Sequence, residues 1–189
     1  MINLKNAKCI GEGQARLCFE HPDFADRCVK VFKTQEKRML VHLNREIDFL
    51  KKFNKGAKHL DFVPQYYGEF ETSEGLGYVF ELYKDYTGEV SQPLIDVDFA
   101  AYDQDLFIDK VERLYRELLK KGGVLSDFHR GNVLVQKHSE SDYDLKIIDG
   151  FGNSDFVKIC DYSKYFLKKK LDRKFFRFLR PLGIQKDFS

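Results

Sequence analysis

The 189-residue sequence has little of several things, and each shortage excludes something. Its first residues, Met1-Ile2-Asn3-Leu4-Lys5, lack the apolar core of a secretory leader. No uncharged stretch reaches the roughly 18 residues of a membrane span. The four cysteines, Cys9, Cys18, Cys28 and Cys160, form no CxxC pair and have no histidine cluster beside them. No disulfide framework or zinc site is expected; Cys9, Cys18 and Cys28 read as small core residues of a cytoplasmic chain. Only four prolines occur, with no low-complexity linker, repeat or heptad. Charge of one sign is also scarce, 32 Lys and Arg standing against 30 Asp and Glu, so a dedicated nucleic-acid binder is not expected.

What is present is apolar and unevenly charged. Hydrophobic residues make up 43% and aromatics 15%, enough for a packed core in one domain or in two small lobes sharing a cleft. From Phe156 onward ten Lys and Arg face three Asp and Glu, whereas the first 155 residues hold 22 against 27. The near-neutral mean hides an acidic body and a basic tail.

Patterning divides the chain near 83–88, into residues 1–84 and 85–189. The first 32 residues read as three strands with turns at Gly11-Glu12-Gly13-Gln14 and His21-Pro22-Asp23, the third strand being Arg27–Phe32. A helix is predicted from about Thr34 to Phe53, with Leu40, Leu43, Ile47 and Leu50 on its buried face. Strands are expected at Phe62–Phe70 and Tyr78–Tyr83, joined across Glu71–Gly77. A helix spans Asp103 to Lys121, capped by Asp103 and stopped by Gly122-Gly123. Strands at Asn132–Gln136 and Leu145–Ile148 follow, with a polar turn through Ser139–Asp142, and the remainder reads as helical and basic.

The sharpest chemical signal is Asp127-Phe128-His129-Arg130-Gly131-Asn132, followed by the strand Val133-Leu134-Val135. The second is Lys146-Ile147-Ile148-Asp149-Gly150, an apolar strand ending in an acid. Hard cations that bridge phosphates want oxygen ligands, and Asn132 and Asp149 at strand ends would supply them. A carboxylate must also orient an attacking hydroxyl and accept its proton; Asp127, five residues before Asn132, has the spacing of a kinase catalytic loop. Upstream, Ile10-Gly11-Glu12-Gly13 would let backbone approach nucleotide phosphates. Lys30 follows Gly11 by nineteen residues in a strand, placed to hold the α- and β-phosphates. Glu46, sixteen residues later, falls on the core-facing stripe of the helix and needs a partner, for which Lys30 is the candidate.

In order and context, these residues resemble the protein-kinase-like superfamily over nearly the whole chain. The catalytic loop is similar to those of aminoglycoside phosphotransferases and lipopolysaccharide sugar kinases, and less like protein kinases, which carry a lysine two residues after the aspartate. More narrowly, Gly11–Pro22, Arg27–Val31 and Gly75–Phe80 resemble the bacterial YrbL family, named for membership of the PhoP regulatory network. The resemblance implies a small α+β, two-lobed kinase-like fold with a five-stranded N-lobe and a shortened helical C-lobe. It implies ATP and Mg²⁺ as cofactors, with Asp127, Lys30 and Glu46 catalytic and Asn132 and Asp149 on the metal. Ile10, Gly11, Gly13, Lys30, Glu81 and Tyr83 would bind nucleotide, Glu81–Tyr83 receiving adenine through backbone groups. The implied acceptor is a sugar hydroxyl of an envelope glycolipid or its precursor; a protein Ser/Thr kinase and a nucleotide-binding pseudokinase are the alternatives.

The sequence also departs from that pattern. Arg16 stands where a kinase loop has its third glycine, either on phosphate or in solvent. Gly150-Phe151-Gly152 follows Asp149 in place of Phe-Gly, no Ala-Pro-Glu motif occurs, and 40 residues remain after Asp149. The acceptor platform is then minimal or supplied by another chain. His129 is expected to brace its loop. In the tail, Phe166, Leu171, Phe175, Phe178 and Leu179 would close the core, while the lysines and arginines between them are either merely solvated or meet an anionic partner such as the inner leaflet of the membrane.

Overall fold

The computed structural model describes residues 1–13, 15–33, 37–155 and 159–188, without the side chains of Lys37 and Arg38. Five antiparallel strands form one sheet: β1 (Cys9–Glu12), β2 (Arg16–Glu20), β3 (Arg27–Phe32), β4 (Tyr66–Thr72) and β5 (Gly75–Glu81), ordered β1-β2-β3-β5-β4. Helix α1 (Lys37–Phe53) joins β3 to β4; the expected helix start at 34–36 lies outside the described residues. Alternation along β3 sorts its side chains. Val29 and Val31 pack with Leu4 and Val79 on one face, while Cys28 joins Tyr78, Phe80 and α1 on the other.

Several expectations are corrected. Phe62 and Val63 are buried but precede β4, because Pro64 cannot donate to a ladder and Asn54 holds the segment, its amide donating to the Pro64 carbonyl and its Oδ1 accepting from Tyr66 N–H. The β4–β5 turn is only Ser73-Glu74, made tight by Gly75 at φ +97. Gly11 and Glu12 belong to β1 and not to the turn. Leu40 is exposed, so the α1 stripe runs through Leu43, Ile47, Leu50 and Phe53. Cys9 lies exposed on the edge strand; Cys28 is buried and Cys18 half-buried.

Helix α2 (Gln104–Lys121) begins where the Asp103 carboxylate accepts the Leu106 N–H at 2.7 Å and ends at Gly122, φ +78. A small second sheet follows, β6 (Gln92–Pro93), β7 (Val133–Lys137) and β8 (Tyr143–Ile147) in that order. The two-residue β6 is too short to leave a periodic signal. Helix α3 (Lys164–Leu179) buries Leu167, Leu171, Phe175, Phe178 and Leu179, with Phe166 left exposed. One core runs from Cys28 on the sheet to Ile184 beyond α3. No described helix is long and apolar enough to cross a membrane.

Candidate active site

Lys30 sits in β3 opposite Cys18 and Tyr78. Its ammonium donates to the Ile148 carbonyl at 3.1 Å, lies 3.6 Å from Glu46 Oε1, and stands over the Phe80 ring. Burial alone would lower its proton affinity, but Glu46 and Asp149 outweigh burial and raise it. Glu46, buried in α1, has a second cation: Arg16 donates to its Oε2 at 2.9 Å and to Asp149 Oδ2 at 2.5 Å. Arg16 is therefore neither solvated nor idle. It ties β2, α1 and the end of β8 together. Burial pushes the Asp149 carboxyl up, but Lys30, Arg16 and the Gly150 N–H hold it below the usual aspartate range.

The loop bearing Asp127 is interlocked with the turn after Asp149. Ser126 and Asp127 N–H both donate to the Gly150 carbonyl, at 2.8 and 3.2 Å. A side chain at Gly150, φ +79, would put its Cβ 1.8 Å from the Asp127 carbonyl oxygen, so only glycine fits. Phe151 stacks on Phe49 of α1 with ring centres 5.0 Å apart, fixing the turn to the helix that carries Glu46. His129 Nδ1 accepts the Gly131 N–H at 3.1 Å, which in the neutral ring leaves the proton on Nε2, 3.4 Å from Asp127 Oδ2. His129 thus braces the loop, as expected, and also touches the aspartate. Asn132 turns its Nδ2 to the Asp127 carbonyl at 3.4 Å.

Helix α3 holds this loop from beneath. Phe128 packs against Phe175 and Phe178 with ring centres 4.5 and 4.4 Å away. Lys174 donates to the Ser126 carbonyl at 2.6 Å, and burial together with Lys170 lowers its proton affinity although Asp127 opposes this. Lys170 is buried on Asn153 Oδ1 and Asp155 Oδ2, at 2.8 and 2.7 Å. Sequence reasoning missed Lys174, Arg45 and the partners of Arg16. A signal existed for Lys174, which lies at i+3 from Leu171 and i−4 from Phe178 on the apolar row.

Two cavities meet here. One, of about 510 Å³, is lined by Ile10, Gly11, Gly13, Lys30, Glu81 and Tyr83. The other, of about 570 Å³, is lined by Glu46, Asp127, His129, His42 and Arg45. Gly13, Arg16, Asn132 and Asp149 line both. The structure thus gathers every site residue expected from sequence, with Asn132 and Asp149 on the shared wall. Gly11 and Gly13 have ordinary φ, and a Cβ on either would meet nothing closer than 3.7 Å, so the protein's own packing does not demand glycine there. At the far end, Glu81 and Leu82 N–H donate to Gln65 and Asp26, and the Tyr83 carbonyl accepts from Ser91. Among the described residues the Tyr83 N–H and the Leu82 carbonyl have no partner, although both residues are buried.

The sheet with its inserted helix, the helical half and the cleft between them define a kinase-like fold. A crystal structure of a kinase domain superposes on 81% of this chain with a TM-score of 0.54 at 18% identity, and this chain spans 54% of that one. The chain belongs to the family described as PhoP regulatory network protein YrbL, whose model matches residues 2–183. It is 27% identical over 196 residues to the uncharacterized protein YrbL of Escherichia coli (strain K12) and to that of Shigella flexneri, covering all of this chain and 93% of each relative.

Proposed function

We propose that the chain is an ATP- and Mg²⁺-dependent phosphotransferase acting on an alcohol. One observation carries the reading: Asn132 and Asp149 stand on the wall shared by a cavity holding Lys30 and a cavity holding Asp127. A phosphoryl group passing from a nucleotide in the first to a hydroxyl in the second would cross that wall.

The residues fit a metal of the magnesium kind. Asn132 and Asp149 offer hard oxygen donors, and among the described residues no group of three or more His, Cys, Asp or Glu makes a closed cage. Mg²⁺ favours such sparse sites, its other positions going to water and substrate phosphates. Bound there, it would neutralise phosphate oxygens. Lys30, oriented by Glu46 and the Ile148 carbonyl, would hold the α- and β-phosphates. Gly11 and Gly13 would cover them, and the unpartnered groups of Leu82 and Tyr83 would receive adenine. Asp127, oriented by His129, would align the acceptor hydroxyl and take its proton. Arg45 and Arg16 line the acceptor side, and their positive charge supports an anionic or sugar-containing acceptor such as an envelope glycolipid precursor.

Catalysis of this kind is positioning plus charge neutralisation. Asp127→Asn should lower phosphate transfer by about 10²–10⁴-fold and leave Mg·ATP binding intact. Thermal shift with Mg·ATP, then transfer of labelled phosphate in a lysate, checks this; equal turnover by wild type and variant refutes it. Partition of the label among lipid, small-molecule and protein fractions gives the acceptor class. A second reading, a nucleotide-binding regulator without turnover, is favoured by the Arg16 guanidinium already paired with Asp149. Mg·ATP stabilisation without turnover would select it.

A further inference from the structure

Helix α3 has two faces of opposite use. Its inner face closes the core and holds the catalytic loop. At 100° per residue the side chains of Tyr165, Phe166, Lys169, Arg173, Phe176 and Arg177 fall within about 120° of the opposite face. All six are exposed, Tyr165 by 60%, Phe166 by 42% and Phe176 by 47%. Three large aromatic rings in water on one helix are a costly arrangement for a surface without an occupant.

The charges on this face are unmatched. Among the described residues none of Lys169, Arg173, Arg177 or the adjoining Arg180 is in an ion pair. The single carboxylate of α3, Asp172, is already taken, accepting from Tyr115 Oη at 2.5 Å and from Lys168 Nζ at 3.0 Å. Lys169 lies over the Tyr165 ring at 4.5 Å, so cation and ring are presented together.

We propose that this face of α3 docks on an anionic lipid surface. Aromatic rings interleaved with cations match a membrane interface, where rings settle at headgroup level and cations meet anionic headgroups. The proposal does not rest on what the cleft does.

The test is sedimentation of the full chain with vesicles of phosphatidylcholine alone and of phosphatidylcholine mixed with phosphatidylglycerol. Binding to the anionic vesicles only, weakening with salt, is expected. At about 1 kcal/mol per cation, K169Q/R173Q/R177Q should bind about 100-fold more weakly. F166S/F176S should lose roughly ten-fold and keep the salt dependence. All positions changed are exposed, and a circular-dichroism melt confirms that the variants fold. Equal binding to both vesicle types, no binding to either, or unaltered binding by the triple variant overturns the proposal. So does salt-sensitive binding to a single-stranded oligonucleotide, or dimerisation through this face, with vesicle binding absent.

Discussion

Replacing Glu46 by Gln keeps the shape of a buried side chain and removes one charge from a cluster of four. Its carboxylate faces Arg16 at 2.9 Å and Lys30 at 3.6 Å, and is itself only 4% exposed. At an effective dielectric of about 20 each attraction amounts to roughly 5 kcal/mol. The cost of drying the carboxylate cancels much of that. What remains is the penalty for leaving two cations with Asp149 alone, about 3–5 kcal/mol. For a chain of this size each kcal/mol lowers the melting temperature by about 2–4 °C, so E46Q should melt about 6–20 °C below wild type. Lys8 and Glu20 provide a control at the same 3.6 Å separation, with the Lys8 side chain 73% exposed. Lys8→Met should therefore cost less than about 1 kcal/mol. Thermal and urea melts of wild type, E46Q, R16Q and the double variant measure these effects, and the double should fall short of the sum by about 0.5–3 kcal/mol. An E46Q melt no further from wild type than that of the Lys8 variant would refute the reasoning, because the guanidinium and ammonium would then be turning to water.

The other expectations concern the same cluster and its turn. Arg16→Gln removes the cation that occupies Asp149, so calorimetry with Mn²⁺ in the absence of nucleotide should show binding at least about ten-fold tighter than wild type. Gly150→Ala should cost more than Gly88→Ala in urea melts: both have φ near +80, but a Cβ at Gly88 meets nothing within 4 Å, limiting its cost to about 1–2 kcal/mol. The pH profile of stability should show a plateau with two edges. The contribution of Asp149, held below the ordinary aspartate value of 3.8, is complete above that value and lost as pH falls through its lower native one. That of Lys30, raised above 10.5, is complete below that value and lost as pH rises through its higher native one. Melts across pH check both; Asp149→Asn should flatten the acid edge and also draw the alkaline edge to lower pH, because Asp149 helps raise Lys30.

Much of the site was legible because its residues sit at points where local rules are strict. Lys30 interrupts a valine strand, Glu46 interrupts an apolar helical stripe, and Asp127 and Asn132 precede a strand at fixed spacing; each is a local conflict that the fold must answer. What escaped is what distance in sequence hides. Arg16 meets Glu46 thirty residues on and Asp149 a further 103 on, and nothing in its own segment announces either partner. The kinship of α3 with the loop carrying Asp127 is likewise tertiary, since Phe128 and Phe175 become neighbours only once both elements are packed. The β4–β5 turn was misplaced because Gly75 at positive φ closes a hairpin tighter than its polar residues suggest.

The hold of α3 on Phe128 and Ser126 sets the order in which the parts of the molecule are completed. Every candidate site residue, from Ile10 to Asp149, leaves the ribosome before α3 does, yet the loop carrying Asp127 is pinned by side chains at 174, 175 and 178. The five-stranded sheet has all of its strands once β5 is made. The loop carrying Asp127 gains the contacts that hold it from beneath only when the helix that follows it has been synthesised and docked. A nascent chain therefore has its sheet complete while the loop carrying Asp127 still lacks the helix that supports it.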